Sequence, residues 1–345
     1  MTSRLHLMFG FRPAFTTAIA AVVLGPSASP AQQAVPNEVV VYSSRSHYGA
    51  EKVFEDFTRT TGIAVRFFSG NNNEVIERLK AEGARTSADV LLTVDAGNLW
   101  YAASQGLLQP VESATLTANI PEHLRDPEHR WFAVAVRART IMYSTERVAP
   151  SELSTYAALG DPKWKGRLCL RTSTATYNQS LLASFIKVHG EPHVEQMVRA
   201  WVANDPVYIN GDTQILEAIA AGRCDVGIAN SYYLGRLLAR RPDLPVRPFW
   251  ADQDGKGVHV NISGSGVVRW ARNRANAVRL LEYLSTPAAQ EALSHASFEY
   301  PANPVVAPLD VLRSWGAFKP QTIGVAAAGQ FQAVAVKLAD RAGYR

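Results

Sequence analysis

Two long extended runs constrain this chain more than any other feature. Trp131 to Tyr143 reads WFAVAVRARTIMY, and Val258 to Trp270 reads VHVNISGSGVVRW. Each is too long for an ordinary strand, which runs to about 5–6 residues. Such a segment can serve two sheets in succession, so the pair predicts two α/β units joined by two crossings. The first run carries Arg137 and Arg139 between Val136, Ala138 and Thr140, so the two arginines share one strand face. That face is either a solvated edge or a place where internal arginines find partners, since an unpaired charge in an apolar run is costly.

Around these runs, strand and helix patterns alternate. Glu38 to Tyr42 is a β-branched strand, Tyr48 to Thr60 a helix, Ile63 to Phe68 a strand and Glu74 to Glu82 a helix. Asp89 to Val94 is a continuous apolar strand, as a parallel sheet covered on both faces requires. Asp95 then caps the next helix. After the first crossing a second series opens: strands at Arg167 to Arg171, Pro206 to Ile209 and Val226 to Ala229, with helices at Tyr177 to Val188, Glu191 to Asn204 and Thr213 to Ala221. A terminal helix is expected over Gly324 to Ala342. The series predicts two doubly wound sheets in two hinged lobes, a fold whose ligands sit in the cleft. The expected lobes are 32–136 plus 262–303, and 137–261 plus 304–345.

The start of the chain has a different character. Arg4, His6 and Arg12 precede an apolar run from Ala14 to Leu24, and Ser29-Pro30-Ala31 offers small residues at cleavage positions. This is the pattern of a signal peptide, 1–31, and it predicts export to the periplasm. Nothing else approaches the ~20 apolar residues of a membrane helix. The net charge of +5 is not concentrated in a Lys/Arg run, so no nucleic-acid partner is expected. With Cys169 and Cys224 as the two cysteines of an exported chain, a disulfide is one reading and two buried thiols the other. Closing a loop of about 56 residues would stabilise the fold by roughly 4 kcal/mol.

The candidate site comes from the turns. In open α/β sheets, ligands bind beyond the carboxyl ends of the strands. Tyr232 and Tyr233 open a helix there, after the strand Val226 to Ala229. Cys169 lies eight residues before Tyr177, and Cys224 eight before Tyr232. If the two strands are neighbours, the cysteines can pair and the tyrosines face one cleft. A third turn, after the first strand, presents His47 and Tyr48. Aromatic residues usually pack, but chance would not gather phenols at three turns on the ligand-binding edge. A phenol ionises near pH 10, so phenolates at neutral pH need a strong cation. Fe3+ supplies that field; three phenolates neutralise it, and a fourth leaves one negative charge. Arg45, Arg137, Arg139 or Arg236 can balance that charge from outside the ligand shell. Soft ligands are missing, and carboxylates do not cluster at these turns, which argues against Ca2+ and Mg2+.

These residues carry a resemblance. Tyr42-Ser-Ser-Arg45 with His47-Tyr48, Asp89-Val-Leu-Leu-Thr-Val-Asp-Ala-Gly97, Val136-Arg-Ala-Arg139, Tyr177-Asn-Gln-Ser180, Ala229-Asn-Ser-Tyr-Tyr233 and His259-Val-Asn-Ile-Ser263 resemble periplasmic ferric-ion-binding proteins, the substrate-binding components of bacterial iron ABC importers. The set is specific and covers nearly all of the chain after the signal peptide. The resemblance implies a two-lobed periplasmic-binding-protein fold. It implies Fe3+ held by Tyr177, Tyr232 and Tyr233 with His47 and Tyr48, and a branch needing no obligatory external anion. It further implies a monomer that is no enzyme and that delivers iron to an ABC permease and its ATPase. Ser46 stands as an extra residue before His47-Tyr48.

Two other functions fit the class. The same scaffold can bind an organic or oxyanionic solute, with tyrosines stacking and arginines pairing its charge. An exported hydrolase has less support, since neither a G-x-S-x-G elbow nor an H-E-x-x-H helix occurs. Gly264-Ser-Gly266 reads as close packing or hinge freedom.

Overall fold

The computed structural model describes residues 37–45 and 51–345. The expected signal peptide and the His47-Tyr48 turn lie outside these residues. The described strands are β1 Glu38–Ser43, β2 Ala64–Ser69, β3 Val90–Val94, β4 Phe132–Ser144, β5 Leu168–Arg171, β6 Val207–Ile209, β7 Val226–Asn230, β8 Val246–Phe249, β9 Val260–Val267 and β10 Tyr300–Pro301. They hydrogen-bond in the order β2-β1-β3-β9-β4-β7-β5-β6, with β8 and β10 added on β4.

The long run does serve two sheets. The first half of β4, Phe132 to Ala138, pairs antiparallel with β9. From Arg139 onward β4 pairs with β7, and from Ile141 with β8. On one side β1 pairs parallel with β2 and β3, and on the other β5 pairs parallel with β6 and β7. Two mixed sheets, each with parallel strands at its outer side, thus share one strand. β9 stays in the first sheet, and the residues just before it complete the second crossing. There His259 O accepts from the Arg139 N–H at 3.0 Å. Tyr156 fastens the two crossings together: its hydroxyl donates to Arg139 O at 2.6 Å and accepts from the His259 N–H at 3.2 Å.

The parallel strands are buried as their sequences require. All five residues of β3 (VLLTV) are buried between helical layers. Gly264 lets β9 lie close against β4, because a Cβ there would stand 2.7 Å from Phe132 O. This supports the close-packing reading of the Gly-Ser-Gly stretch.

β5 and β7 are neighbours, and Cys169 faces Gly227 across them. Cys169 and Cys224 form a disulfide with Cα atoms 5.8 Å apart, which settles the two readings in favour of the bond. Gly227 is needed beside it, since a Cβ would sit 2.8 Å from Cys169 O.

The terminal helix differs from expectation. It is two helices, Ala327–Gln330 and Gln332–Arg341, separated at Phe331. The shorter packs on both Ala96–Ser104 and Thr176–His189. Its Gly329 lies so close to Trp100 that a Cβ would come within 2.6 Å of the indole. The first helix ends at Phe331, whose φ −107 and ψ 5 depart from helical backbone before the second helix begins.

Candidate metal centre

Tyr177 stands in the first turn of the helix Thr176–His189, directly after β5. Tyr232 and Tyr233 stand in the first turn of Ser231–Arg240, directly after β7. Because β5 and β7 are adjacent and parallel, both turns open at the same end of the sheet. The Tyr232 hydroxyl lies 3.4 Å from that of Tyr177. The rings of Tyr232 and Tyr233 are 4.2 Å apart between centroids and tilted by 34°. Tyr232 is buried, while Tyr177 and Tyr233 are half-buried. Two helix N-termini, which favour negative charge, therefore end at one group of phenols.

Arginines surround this group. The Arg137 guanidinium lies 5.6 Å from the Tyr177 ring centroid, and that of Arg171 lies 5.4 Å away. Arg236 lies 5.2 Å from the ring of Tyr232. Arg137 and Arg139 are each only 1% exposed, so the solvated-edge reading is overturned. The crossing strand is covered on both faces, and its arginines find carboxylates in the interior. Arg139 donates to Asp212 at 2.7 Å and to Asn178 Oδ1 at 2.7 and 3.1 Å. Arg137 lies 3.8 Å from Glu299, which also pairs with Arg45. Arg45 ends the described part of the first turn, so Glu299 links that turn to the arginine beside Tyr177.

The electrostatics follow from burial and these charges. Burial pushes the Tyr233 phenol up to about 12, and the nearby Tyr177 and Asp212 add to it. The hydrogen bond to Tyr232 and the Arg171 charge oppose the rise. Burial works to lower the Arg137 guanidinium, but Glu299, Tyr177, Asp95 and Tyr232 outweigh it and hold the group above its ordinary value. The Tyr233 phenol is thus held neutral, and the group of phenols is set among arginines. A multivalent hard cation would convert them to phenolates.

The family model of the bacterial extracellular solute-binding proteins matches residues 52–320 of the chain. The chain belongs to that family. Among solute-binding relatives, Iron uptake protein A1 of Synechocystis sp. is 40% identical across 100% of this chain and 99% of its own length. The Major ferric iron-binding protein of Neisseria meningitidis serogroup B is 24% identical, covering 78% of this chain and 82% of its own. Among solved structures, Trichodesmium IdiA (FutA) in complex with iron and citrate ligands is 43% identical at a TM-score of 0.86, with 89% of this chain and 100% of that one covered. The ferric binding protein from Campylobacter jejuni is 31% identical at 0.83, with 89% and 100% covered. The two-lobed α/β architecture expected from the sequence is the architecture of these solute-binding proteins.

Within this solute-binding fold, the structure places Tyr177, Tyr232, Tyr233, Arg137, Arg139 and Arg236 near one another. Arg45 joins through Glu299. His47 and Tyr48 lie outside the described residues.

Several participants escape sequence reasoning. Asp212 and Glu299 are buried carboxylates beside the site that the turns do not announce. Each is occupied by arginines, so they do not form an oxygen cage, and among the described residues no group of three His, Cys, Asp or Glu side chains could hold a metal ion. Asn178 and Arg171 were also missed. Asn178 follows Tyr177 and joins Arg139 to the carbonyls of Arg171 and Thr172, so it fixes the turn itself. Phe298 was missed as well. It packs with Val94 against Tyr232 and Tyr233, bringing the first sheet onto the tyrosine pair. Gly235 permits this approach, since a Cβ there would lie 3.0 Å from the Phe298 side chain. A position on the far side of the chain from the tyrosines carries no local mark of such a role.

Proposed function

We propose that this chain captures ferric iron between its two lobes through tyrosine phenolates and delivers it to the permease and ATPase of an ABC transporter. The proposed ligands are Tyr177, Tyr232 and Tyr233 from one lobe, joined on closure by His47 and Tyr48 from the other. Arg45, Arg137 and Arg139 stabilise the phenolates from outside the ligand set. The observation that carries the reading is the 3.4 Å approach of the Tyr177 and Tyr232 hydroxyls at two helix N-termini, among buried arginines. A hydrolytic centre would need a nucleophile and base at that point; a hard-cation site needs the phenols and the compensating charge that stand there. The iron and ferric-iron proteins among the relatives support the same cargo.

Because three phenols lie on one lobe, iron can bind there before the lobes close. The lobes are taken as 32–136 plus 262–303 and 137–261 plus 304–345; β4 changes partners between Ala138 and Arg139, two residues beyond the first of these boundaries. Cleavage after the signal peptide, 1–31, would place the protein in the periplasm.

The test is optical. Ferric loading of the purified protein should produce a visible phenolate-to-iron charge-transfer band. Tyr232→Phe with Tyr233→Phe should remove tight binding and leave the fold intact. An iron-loaded protein without colour, or full affinity in the double variant, would reject the tyrosine site.

A further inference from the structure

The two lobes meet at a second polar contact, apart from the phenols. Asp95 follows β3 in the first sheet and caps the helix Ala96–Ser104. Its backbone has φ 79, uncommon for a residue with a side chain, and its N–H donates to Ile262 O at 2.8 Å. Its carboxylate accepts from the Gly97 N–H at 2.8 Å and from Asn261 Nδ2 at 2.9 Å. Gly97 lies on the helix that Asp95 caps and Asn261 in β9, which pairs with β3, so both donors move with the first sheet, Asn261 being the last residue before the expected lobe boundary at 262. The remaining donor does not: Ser180 Oγ lies 2.8 Å from each Asp95 oxygen. Ser180 sits on the helix Thr176–His189, three residues after Tyr177 and on the same face. Asp95 and Ser180 are both fully buried.

We infer that Asp95 and Ser180 form a latch that holds the lobes closed. The inference rests on the ferric-iron reading above. The other bonds around Asp95, from Gly97, Asn261 and Asn98 and to Ile262, survive a separation of the sheets, because their partners move with Asp95. The Ser180 bond is the exception, and it reports closure alone. The carboxylate is pre-aimed: its cap bond, the Asn261 bond and the pinned backbone fix it before Ser180 arrives. On opening, water replaces the hydroxyl, so the latch contributes only the net value of a charge-assisted hydrogen bond. That is strong enough to slow loss of the cargo and weak enough to permit release.

The experiment measures ferric iron dissociation by chelator capture, beside association and the charge-transfer band. Ser180→Ala should release iron about tenfold faster than the wild type, the size expected for one hydrogen bond to a charged group. Its association rate and band should be unchanged. Ser180→Thr, which keeps the hydroxyl, should restore slow release, as a merely structural role for the small side chain would not. A dissociation rate in Ser180→Ala equal to the wild type, or Ser180→Thr releasing as fast as Ser180→Ala, overturns the latch. The wild-type band separates the two readings: if it is present while Ser180→Ala behaves as wild type, the latch alone fails. If the wild type shows no band, the iron reading fails and the latch with it.

Discussion

His259 stands where the two crossings meet, and its burial has a pH consequence. Its Nδ1 lies 2.9 Å from Ser184 Oγ, and its backbone bonds to Arg139 and Tyr156. Burial pushes the imidazole down to about 3; Arg139 and Arg137 add to the shift, and Gln321 opposes it. In the unfolded chain the ring titrates near pH 6.5. The folded value is the lower one, so the fold favours the neutral ring. This contribution is complete above about pH 6.5 and is lost as pH falls toward 3. Between pH 7 and 4.5 the loss should reach roughly 2–3 kcal/mol. Urea unfolding at stepped pH should show the wild type weakening over this window and His259→Gln weakening less. Parallel profiles for the two proteins would refute the assignment. Residues of this kind divide by how far their partners lie along the chain. The phenols were legible because each follows its strand directly, and strand-to-helix turns are short-range patterns. Glu299 was not, because 254 positions separate it from Arg45, and only the folded chain joins them.

The same division holds for elements. The disulfide was legible through the equal spacing from Cys169 to Tyr177 and from Cys224 to Tyr232, which the parallel pairing of β5 and β7 turns into proximity. The close approach of Gly329 to Trp100 was not legible, since Gly329 reads as an ordinary weak helix residue until Trp100 is packed on it. Likewise nothing around Tyr156 marks it as the fastening of the two crossings. The disulfide closes a separation of 55 residues, and in the chain-entropy model its removal costs about 4 kcal/mol. It is placed at the root of both tyrosine-bearing turns rather than at the phenols. Cys169→Ala with Cys224→Ala should therefore lower the thermal midpoint, while ferric loading well below that midpoint still gives the charge-transfer band. Reductant should shift the wild type toward the variant. A double variant with an unchanged midpoint would show that the bond does not support the second sheet.

For the whole molecule, cargo and protons exchange. Around the tyrosines, the fully buried charges balance: Arg45, Arg137 and Arg139 against Asp95, Asp212 and Glu299. Half-buried Arg171, which also lies 3.5 Å from Asp212, and Arg236 stand against the rings of Tyr177 and Tyr232, where their charge favours phenolates. These cations do not ionise Tyr233, whose phenol burial holds up at about 12. The ferric ion must therefore displace protons as it binds. Tyr177, Tyr232 and Tyr233 would release about three, and Tyr48 about one more if it joins the metal on closure. The bound state holds fewer protons than the free state, so affinity should rise with pH and acid should promote release. The slope of log K against pH should equal the number released. A pH-stat titration with a ferric chelate, corrected for the chelate's own proton uptake, measures that number directly. Three protons in a Tyr48→Phe variant and four in the wild type would place Tyr48 in the ligand set. A count near zero would mean that the phenols stay protonated, and the ferric site would then have to be built from other groups.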